Sequence, residues 1–260
     1  MNTDTPATGQ AHLGLLLWAL IVGLSFPAVG LMTEGLPPLL LTAIRFAIAA
    51  LAILPLALRE RGFRPSLAGI ALYAFMGLCL AGFFGAMFWA AHRASAVSMA
   101  SIYVSVPLLA YGLGRGFGVE RPAARLLGVL LLGALGALGL AWAESGGRLE
   151  RLSFGLGEAV FAAGCLATAL YPVLSKWGLA RGCLAAGAAQ RTFWSLLTGG
   201  VLIAALGLAV EAPGSLAAMQ LRDLLLLAYL GVFSSAATFW LMQRATALLT
   251  PGMVTAYTYL

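Results

Sequence analysis

Eight stretches of about 20 mostly apolar residues, separated by connectors of a few residues, constrain this chain more than any other feature. Cutting at charges and turn residues places them at 11–31, 37–58, 67–91, 95–114, 122–143, 154–174, 184–209 and 222–243. A ninth begins near 249 and runs to Leu260. In lipid every backbone N–H and C=O must be satisfied within its own segment, so stretches of this length read as spanning helices. Connectors such as Thr33-Glu34-Gly35, Arg59-Glu60-Arg61-Gly62 and His92-Arg93 force neighbouring helices to run antiparallel, and none can hold a soluble domain. Composition agrees: 62% of residues are hydrophobic and 9% charged, against about 25% charged in a soluble domain. A water-soluble enzyme, a disordered chain and a disulfide scaffold are excluded. So is an outer-membrane barrel, whose strands alternate polar and apolar residues in segments of about ten.

The net charge of +6 does not signal a nucleic-acid partner, because the charges sit singly in the gaps between apolar stretches. In a membrane protein such an excess reports orientation. With a cytoplasmic N-terminus, nine basic residues fall on the cytoplasmic side: Arg59, Arg61, Arg64, Arg115, Arg121, Arg125, Lys176, Arg181 and Arg244. Four fall outside: Arg93, Arg148, Arg151 and Arg222. Residues 1–10 read as a polar tail. No basic residue precedes the first apolar stretch, so it reads as a retained span rather than a cleaved signal. Cys79, Cys165 and Cys183 show no CxxC spacing and read as packing residues.

The chain repeats itself. Phe-Trp-Ala-Ala-His-Arg-Ala-Ser-Ala at 88–96 returns as Phe-Trp-Leu-Met-Gln-Arg-Ala-Thr-Ala at 239–247, an offset of 151. After a three-residue gap, Ile-Tyr-Val-Ser-Val at 102–106 faces Ala-Tyr-Thr-Tyr-Leu at 256–260; earlier, Phe26-Pro27 matches Tyr171-Pro172 and Arg45 matches Arg191. The repeated unit holds five spans, so the second copy must lie inverted in the membrane. Inverted repeats about an in-plane axis are the architecture of secondary transporters. The expected fold is an all-α integral membrane bundle: repeat one at 11–147 and an inverted, C-terminally incomplete repeat two at 148–260. About 30 further residues and ten spans are expected of the natural protein.

Leu-Leu-Leu-Trp-Ala-Leu…Ser-Phe-Pro at 15–27, Thr-Ala-Ile-Arg-Phe at 42–46 and Ala-Ser-Ala-Val-Ser-Met-Ala-Ser at 94–101 resemble the EamA-type members of the drug/metabolite transporter superfamily. Leu-Thr-Pro-Gly-Met-Val-Thr-Ala-Tyr-Thr-Tyr-Leu at 249–260 is similar to bacterial amino-acid exporters of that type. The resemblance covers essentially the whole chain. It implies export of aromatic and other amino acids across the inner membrane through ten helices around a central cavity. That cavity would be lined by the first, third, fourth, sixth, eighth and ninth helices.

On those helices Trp18, Phe26 and Pro27 offer an aromatic wall and a helix break, with Tyr171 and Pro172 as their mates. Broken helices at matching places point to a transporter site, and bending for packing is the alternative. Arg45 and Arg191 are expected eight or nine residues inside their spans. Each is either a charge clamp for a substrate or a structural tie to helix ends or carbonyls in the other half. His92 and Gln243 end the third and eighth spans, as gates or as polar helix ends. Ser98, Ser101 and Ser105 form one polar face of the fourth helix, and Tyr103, Tyr257 and Tyr259 add hydroxyls. Trp89 and Trp240 line the cavity or belong to aromatic belts. Gly133, Gly136 and Gly139 read as helix-packing residues.

No GxxxxGK[ST] loop, HExxH or Cys/His metal spacing occurs, so no cofactor, metal or catalytic residue is expected. No Asp or Glu lies mid-span, which favours facilitated over proton-coupled movement. Coupling through Glu158 or His92 is the alternative mechanism. An aromatic, hydroxylated cavity without negative charge suits neutral or zwitterionic solutes, aromatic amino acids among them. A drug or nucleoside efflux carrier is the competing substrate reading, and a membrane-embedded enzyme a distant one. A monomer in a bacterial inner membrane is expected.

Overall fold

The computed structural model describes residues 6–144 and 155–260; the side chains of Pro6, Phe26, Ala141 and Glu144 lie outside that description. Eleven α-helices follow in order: α1 Pro6–Gly30, α2 Pro38–Arg59, α3 Leu67–Ala90, α4 Ala96–Tyr103, α5 Val106–Gly116, α6 Ala124–Glu144, α7 Leu156–Ala180, α8 Ala188–Val210, α9 Leu221–Gly231, α10 Thr238–Leu248 and α11 Pro251–Ala256. There is no strand among the described residues.

Among the described residues, seven segments are long and apolar enough to cross a membrane. They are α1, α2, α3, the α4–α5 pair, α7, α8 and the α9–α10 pair. The described apolar part of α6, Ala124–Leu140, is shorter, and α11 begins the ninth expected segment. The sequence-derived spans recur within a few residues, with the C-terminal ends of α7 and α10 extending further. α4 and α5 form one span broken at Val104–Ser105, ahead of Pro107. α9 and α10 are joined by a π-helical turn, Val232–Ala237.

The core is an antiparallel pair, α2 against α8, with α3 and α7 packed beside it. Small residues permit the approach. A Cβ on Gly200 would stand 3.3 Å from the Phe46 Cβ, and one on Gly207 would stand 2.9 Å from Leu40. Outward faces are leucine-rich: Leu13, Leu16, Leu17, Leu20 and Leu24 of α1 are exposed, as are Leu131, Leu132 and Leu135 of α6. A protein in water would bury such side chains; a bilayer solvates them.

Contacts between helix ends fix the sense of each half. At one end of the bundle, Glu60 after α2 meets the start of α8, and the end of α7 meets the end of α10 through Lys176 Nζ and the Ala247 carbonyl, 2.9 Å apart. At the other end, Glu211 after α8 meets the start of α2, and Arg93 after α3 lies against Gly157 of α7. The matched segments 88–96 and 239–247 therefore end on opposite sides of the bundle, as an inverted repeat requires.

Three expectations need correction. Arg191 is the fourth residue of α8, not the eighth or ninth, because the helix starts at Ala188. α1 and α7 run unbroken through Pro27 and Pro172. A proline removes one donor, and the rest of the ladder closes around it. The discontinuities lie instead at the α4–α5 break and the π-turn. Finally, only Gly133 of the three α6 glycines makes a close contact, with the Tyr259 ring; Gly136 and Gly139 face open space.

Candidate functional site

The two buried arginines differ. Arg191 is fully buried, and its side chain is consumed by its own half. Nη1 donates to the Ala185 and Ala186 carbonyls at 2.8 and 2.7 Å. Nη2 donates to the Gln243 carbonyl at 2.7 Å, and Nε to Gln243 Oε1 at 3.0 Å. Gln243 is equally enclosed. Its Oε1 also accepts from Ser175 Oγ at 2.6 Å, and its Nε2 donates to Tyr171 Oη at 2.9 Å. Tyr171 Oη lies 2.7 Å from Ser195 Oγ. This network ties α7, α8 and α10 together around a buried charge, and such networks hold position when every member is satisfied. The tie stays within the second half.

Arg45, eighth in α2 and half-buried, crosses to the other half. Nε donates to Ser235 Oγ at 2.5 Å, and Nη2 to the Ser234 carbonyl at 3.1 Å, both on the π-turn. Its guanidinium lies 5.9 Å from the Phe84 ring centre. The Arg45–Arg191 pairing read from the sequence is not kept in space. The glutamate caps place Leu39 and Leu40 opposite Ala189 and Gln190, so Ser195 stands where Arg45 does. One identical residue in an apolar stretch misjudged a register that cap chemistry fixes.

Phe83, Phe84 and Phe88 of α3, with Phe46, Phe239 and Tyr171, form a run of aromatic contacts with centroid separations between 5.3 and 6.4 Å. Phe84, Phe88, Phe239 and Trp240 stay half-buried beside the core. Matched cation–π pairs sit at the two ends: Arg93 over Trp89 at 4.0 Å and Arg244 over Trp240 at 4.9 Å.

Ser98 of α4 is buried, and Ser101 of α4 and Ser105 at the α4–α5 break are half-buried. Ser101 Oγ donates to the Val97 carbonyl and Ser105 Oγ to the Ile102 carbonyl, which leaves their lone pairs on the helix face. Tyr103 packs on Phe83 at 6.0 Å. Tyr259 donates to the Val104 carbonyl at the α4–α5 break, 3.0 Å away. Tyr257 Oη lies 2.7 Å from His12 Nδ1, linking α1 to the last turn described. Trp18 is half-buried on α1 and Pro27 exposed; the Phe26 side chain lies outside the described residues. His92 is exposed, with Nδ1 3.2 Å from the Phe88 carbonyl.

Sequence reasoning missed Glu60, Glu211, Glu120 and the His12–Tyr257 link. Glu60 and Glu211 were within reach, since they share the 151-residue offset of the repeat. Glu158 is buried and accepts from the Gly155 N–H at 3.0 Å at the start of α7. Glu120, in the connector before α6, is buried with Oε2 2.9 Å from the Gly252 N–H. Burial pushes its carboxyl above the ordinary range; the Gly252 N–H and nearby Lys176 and Arg115 offset this only in part. No group of three or more His, Cys, Asp or Glu suited to a metal occurs among the described residues.

A multi-span helical bundle with an inverted repeat and an aromatic, arginine-bearing interior is the fold of a membrane carrier. The EamA-like transporter family matches residues 10–142, half of the chain, and the chain belongs to that family, within the drug/metabolite transporter superfamily. Seventeen solved chains match. One crystal structure superimposes with a TM-score of 0.75 at 21% identity, covering 98% of this chain and 83% of its own, a likeness of fold. No curated protein matches. As a family member the protein is a multi-pass membrane transporter of small molecules.

Proposed function

We propose that the protein exports small metabolites, foremost aromatic and other neutral amino acids, by alternating access through a cavity between its two halves. One observation carries this reading. The matched pairs Trp89–Arg93 and Trp240–Arg244 sit at opposite ends of the bundle, each arginine over its tryptophan. Two equivalent halves in opposite senses provide two nearly equivalent states, one open to each side. The aromatic run between α3 and α10 suits ring stacking. The α4 serines, Tyr103, Trp240 and Trp18 remain proposed cavity residues. Tyr171, Gln243 and Arg191 are proposed instead to hold that wall in place, since their polar atoms are spent on one another. The lack of a mid-span carboxylate favours facilitated movement. The membrane is proposed to be a bacterial inner membrane, with the N-terminus cytoplasmic and the carrier monomeric.

The test is uptake of labelled tryptophan, threonine and a nucleoside into liposomes, with and without a pH gradient. Saturable amino-acid uptake that does not concentrate supports the reading. Accumulation only under a pH gradient replaces facilitated movement with proton coupling. Nucleoside uptake alone sinks the amino-acid assignment and keeps the carrier.

A further inference from the structure

We infer that Arg45 and the π-turn Val232–Ala237 form a carboxylate-binding subsite at the junction of the two halves, an inference that rests on the carrier reading above. A guanidinium in the membrane interior is costly unless it is paired and fully hydrogen-bonded. Arg191 meets that demand with four bonds inside its own half. Arg45 does not. The edge formed by Nε and Nη2 is taken by Ser235 and Ser234, while among the described residues Nη1 has no bond and no carboxylate bonds the group.

The partners of Arg45 draw its guanidinium toward other helices of the bundle. Leu39, Ala43, Phe46, Ala50 and Ile53 of α2 face α8, and Gly231 lies against Ile48 and the Arg45 carbonyl on the other flank. The exposed positions nearest to it along this helix are Ala47, Leu51 and Ala52. The guanidinium lies beside Phe84, whose ring is half-buried and shared with Phe46, Phe83 and Phe88.

The π-turn is what holds the fork. It presents the Ser234 carbonyl and both serine hydroxyls to one edge of the guanidinium, and Thr238 Oγ1 ties the Ser234 carbonyl back at 2.8 Å. Insertions of this kind recur at functional sites because they redirect side chains without ending the helix. An arginine held along one edge presents its remaining N–H groups in a fixed direction, the geometry that suits a carboxylate. The ligand class is a small carboxylate with an apolar or aromatic body, the carboxylate at Nη1 and the body against Phe84 and Phe88. A bound carboxylate also supplies the missing counter-charge, and because Arg45 is held by Ser234–Ser235 of the opposite half, it binds beside the seam between them.

The test uses the protein in liposomes with tryptophan, indole-3-propionate (carboxylate without amine) and tryptamine (amine without carboxylate), read as affinity and as uptake. Wild type is expected to take both carboxylates in preference to tryptamine. Arg45→Gln is expected to weaken both carboxylates about ten- to a hundredfold and leave tryptamine unchanged; Arg45→Lys recovers part of the loss. Should Arg45→Gln fail to fold, Ser235→Ala, which frees one edge of the fork, is expected to weaken only the carboxylates, severalfold. Unchanged carboxylate affinity in a folded Arg45→Gln protein overturns the inference, as does an equal loss for all three ligands. Wild type that carries tryptamine as well as tryptophan overturns it while the carrier reading stands. Wild type that carries none of the three sinks the amino-acid reading and the inference with it.

Discussion

Glu60 and Glu211 cap each other's helices. Glu60, at the end of α2, accepts from the Ala189 and Gln190 N–H groups at the start of α8, at 3.2 and 3.0 Å. Glu211, at the end of α8, accepts from the Leu39 and Leu40 N–H groups at the start of α2, at 2.8 and 2.9 Å. Neither α2 nor α8 carries an N-cap side chain of its own. Four of the orphan donors are therefore satisfied from the antiparallel partner, and each carboxylate meets the positive end of a helix dipole. The arrangement fixes the register of the two core helices from both ends.

Each cap is expected to contribute about 0.5–2 kcal/mol, the usual range for a side-chain N-cap. Glu60→Ala and Glu211→Ala are each predicted to lower stability by that amount in detergent thermal unfolding. The two stand at opposite ends of the helix pair, so the double variant should equal the sum within about 0.5 kcal/mol. A strongly non-additive double variant would mean that α2 and α8 do not act as one rigid unit.

The buried Gln243 side chain joins Ser175, Arg191 and Tyr171 in the second half. Replacing it by leucine strands the Arg191 Nε and the Ser175 hydroxyl and leaves the Tyr171 hydroxyl with Ser195 alone. Leaving a buried polar group without its partner costs roughly 1–3 kcal/mol, and two groups lose theirs here. Gln243→Leu is predicted to unfold at markedly lower temperature. A variant that keeps its thermal stability and loses transport would place Gln243 in the solute path after all.

Gly77 marks where α3 crosses α8. A methyl there would stand 2.5 Å from Thr198 Oγ1 and 2.7 Å from the Gly199 nitrogen, part of a backbone that cannot step aside cheaply. Gly77→Ala should cost about 1–3 kcal/mol as overpacking. Gly136→Ala on α6, where nothing lies within 4 Å, should be neutral or stabilising by up to about 1 kcal/mol. Comparing the two melting temperatures separates steric contact from the general preference of helices for alanine.

Span positions were legible because a bilayer demands about 20 apolar residues whatever the tertiary fold. The inversion was legible because an odd number of spans leaves no other arrangement, and Phe88-Trp89 with Phe239-Trp240 marked the register. Side-chain partnership was not. Arg45 and Arg191 look alike in sequence, yet one is saturated by carbonyls of its own half and the other reaches across to a π-turn. Nothing in the residue string Val-Phe-Ser-Ser-Ala-Ala announces that turn. Pro27 and Pro172 suggested breaks because proline forbids one hydrogen bond, but one lost bond does not end a helix held by its neighbours. The caps were overlooked because they join residues 129 to 172 positions apart, and sequence-local reasoning looks for a cap within one turn.

Glu120 gives a pH signature. It sits where the connector before α6 meets the start of α11, with Tyr111 and Arg115 on α5, Lys176 on α7 and the Gly252 N–H on α11 around it. Burial raises its folded-state pKa above the unfolded value, so the folded protein holds the proton more tightly. Stability from this group is then fully present below the ordinary carboxylate range, and it is lost as pH rises through the elevated folded-state pKa. Thermal unfolding of the wild type in detergent should weaken over that window. Glu120→Gln keeps an acceptor for the Gly252 N–H and carries no charge at any pH, so its profile should be flat there and lie above the wild type on the alkaline side. The same profile in wild type and Glu120→Gln would assign the pH dependence to another group. Stability that instead rises with pH in the wild type alone would mean that Lys176 and Arg115 outweigh burial and hold Glu120 as the anion.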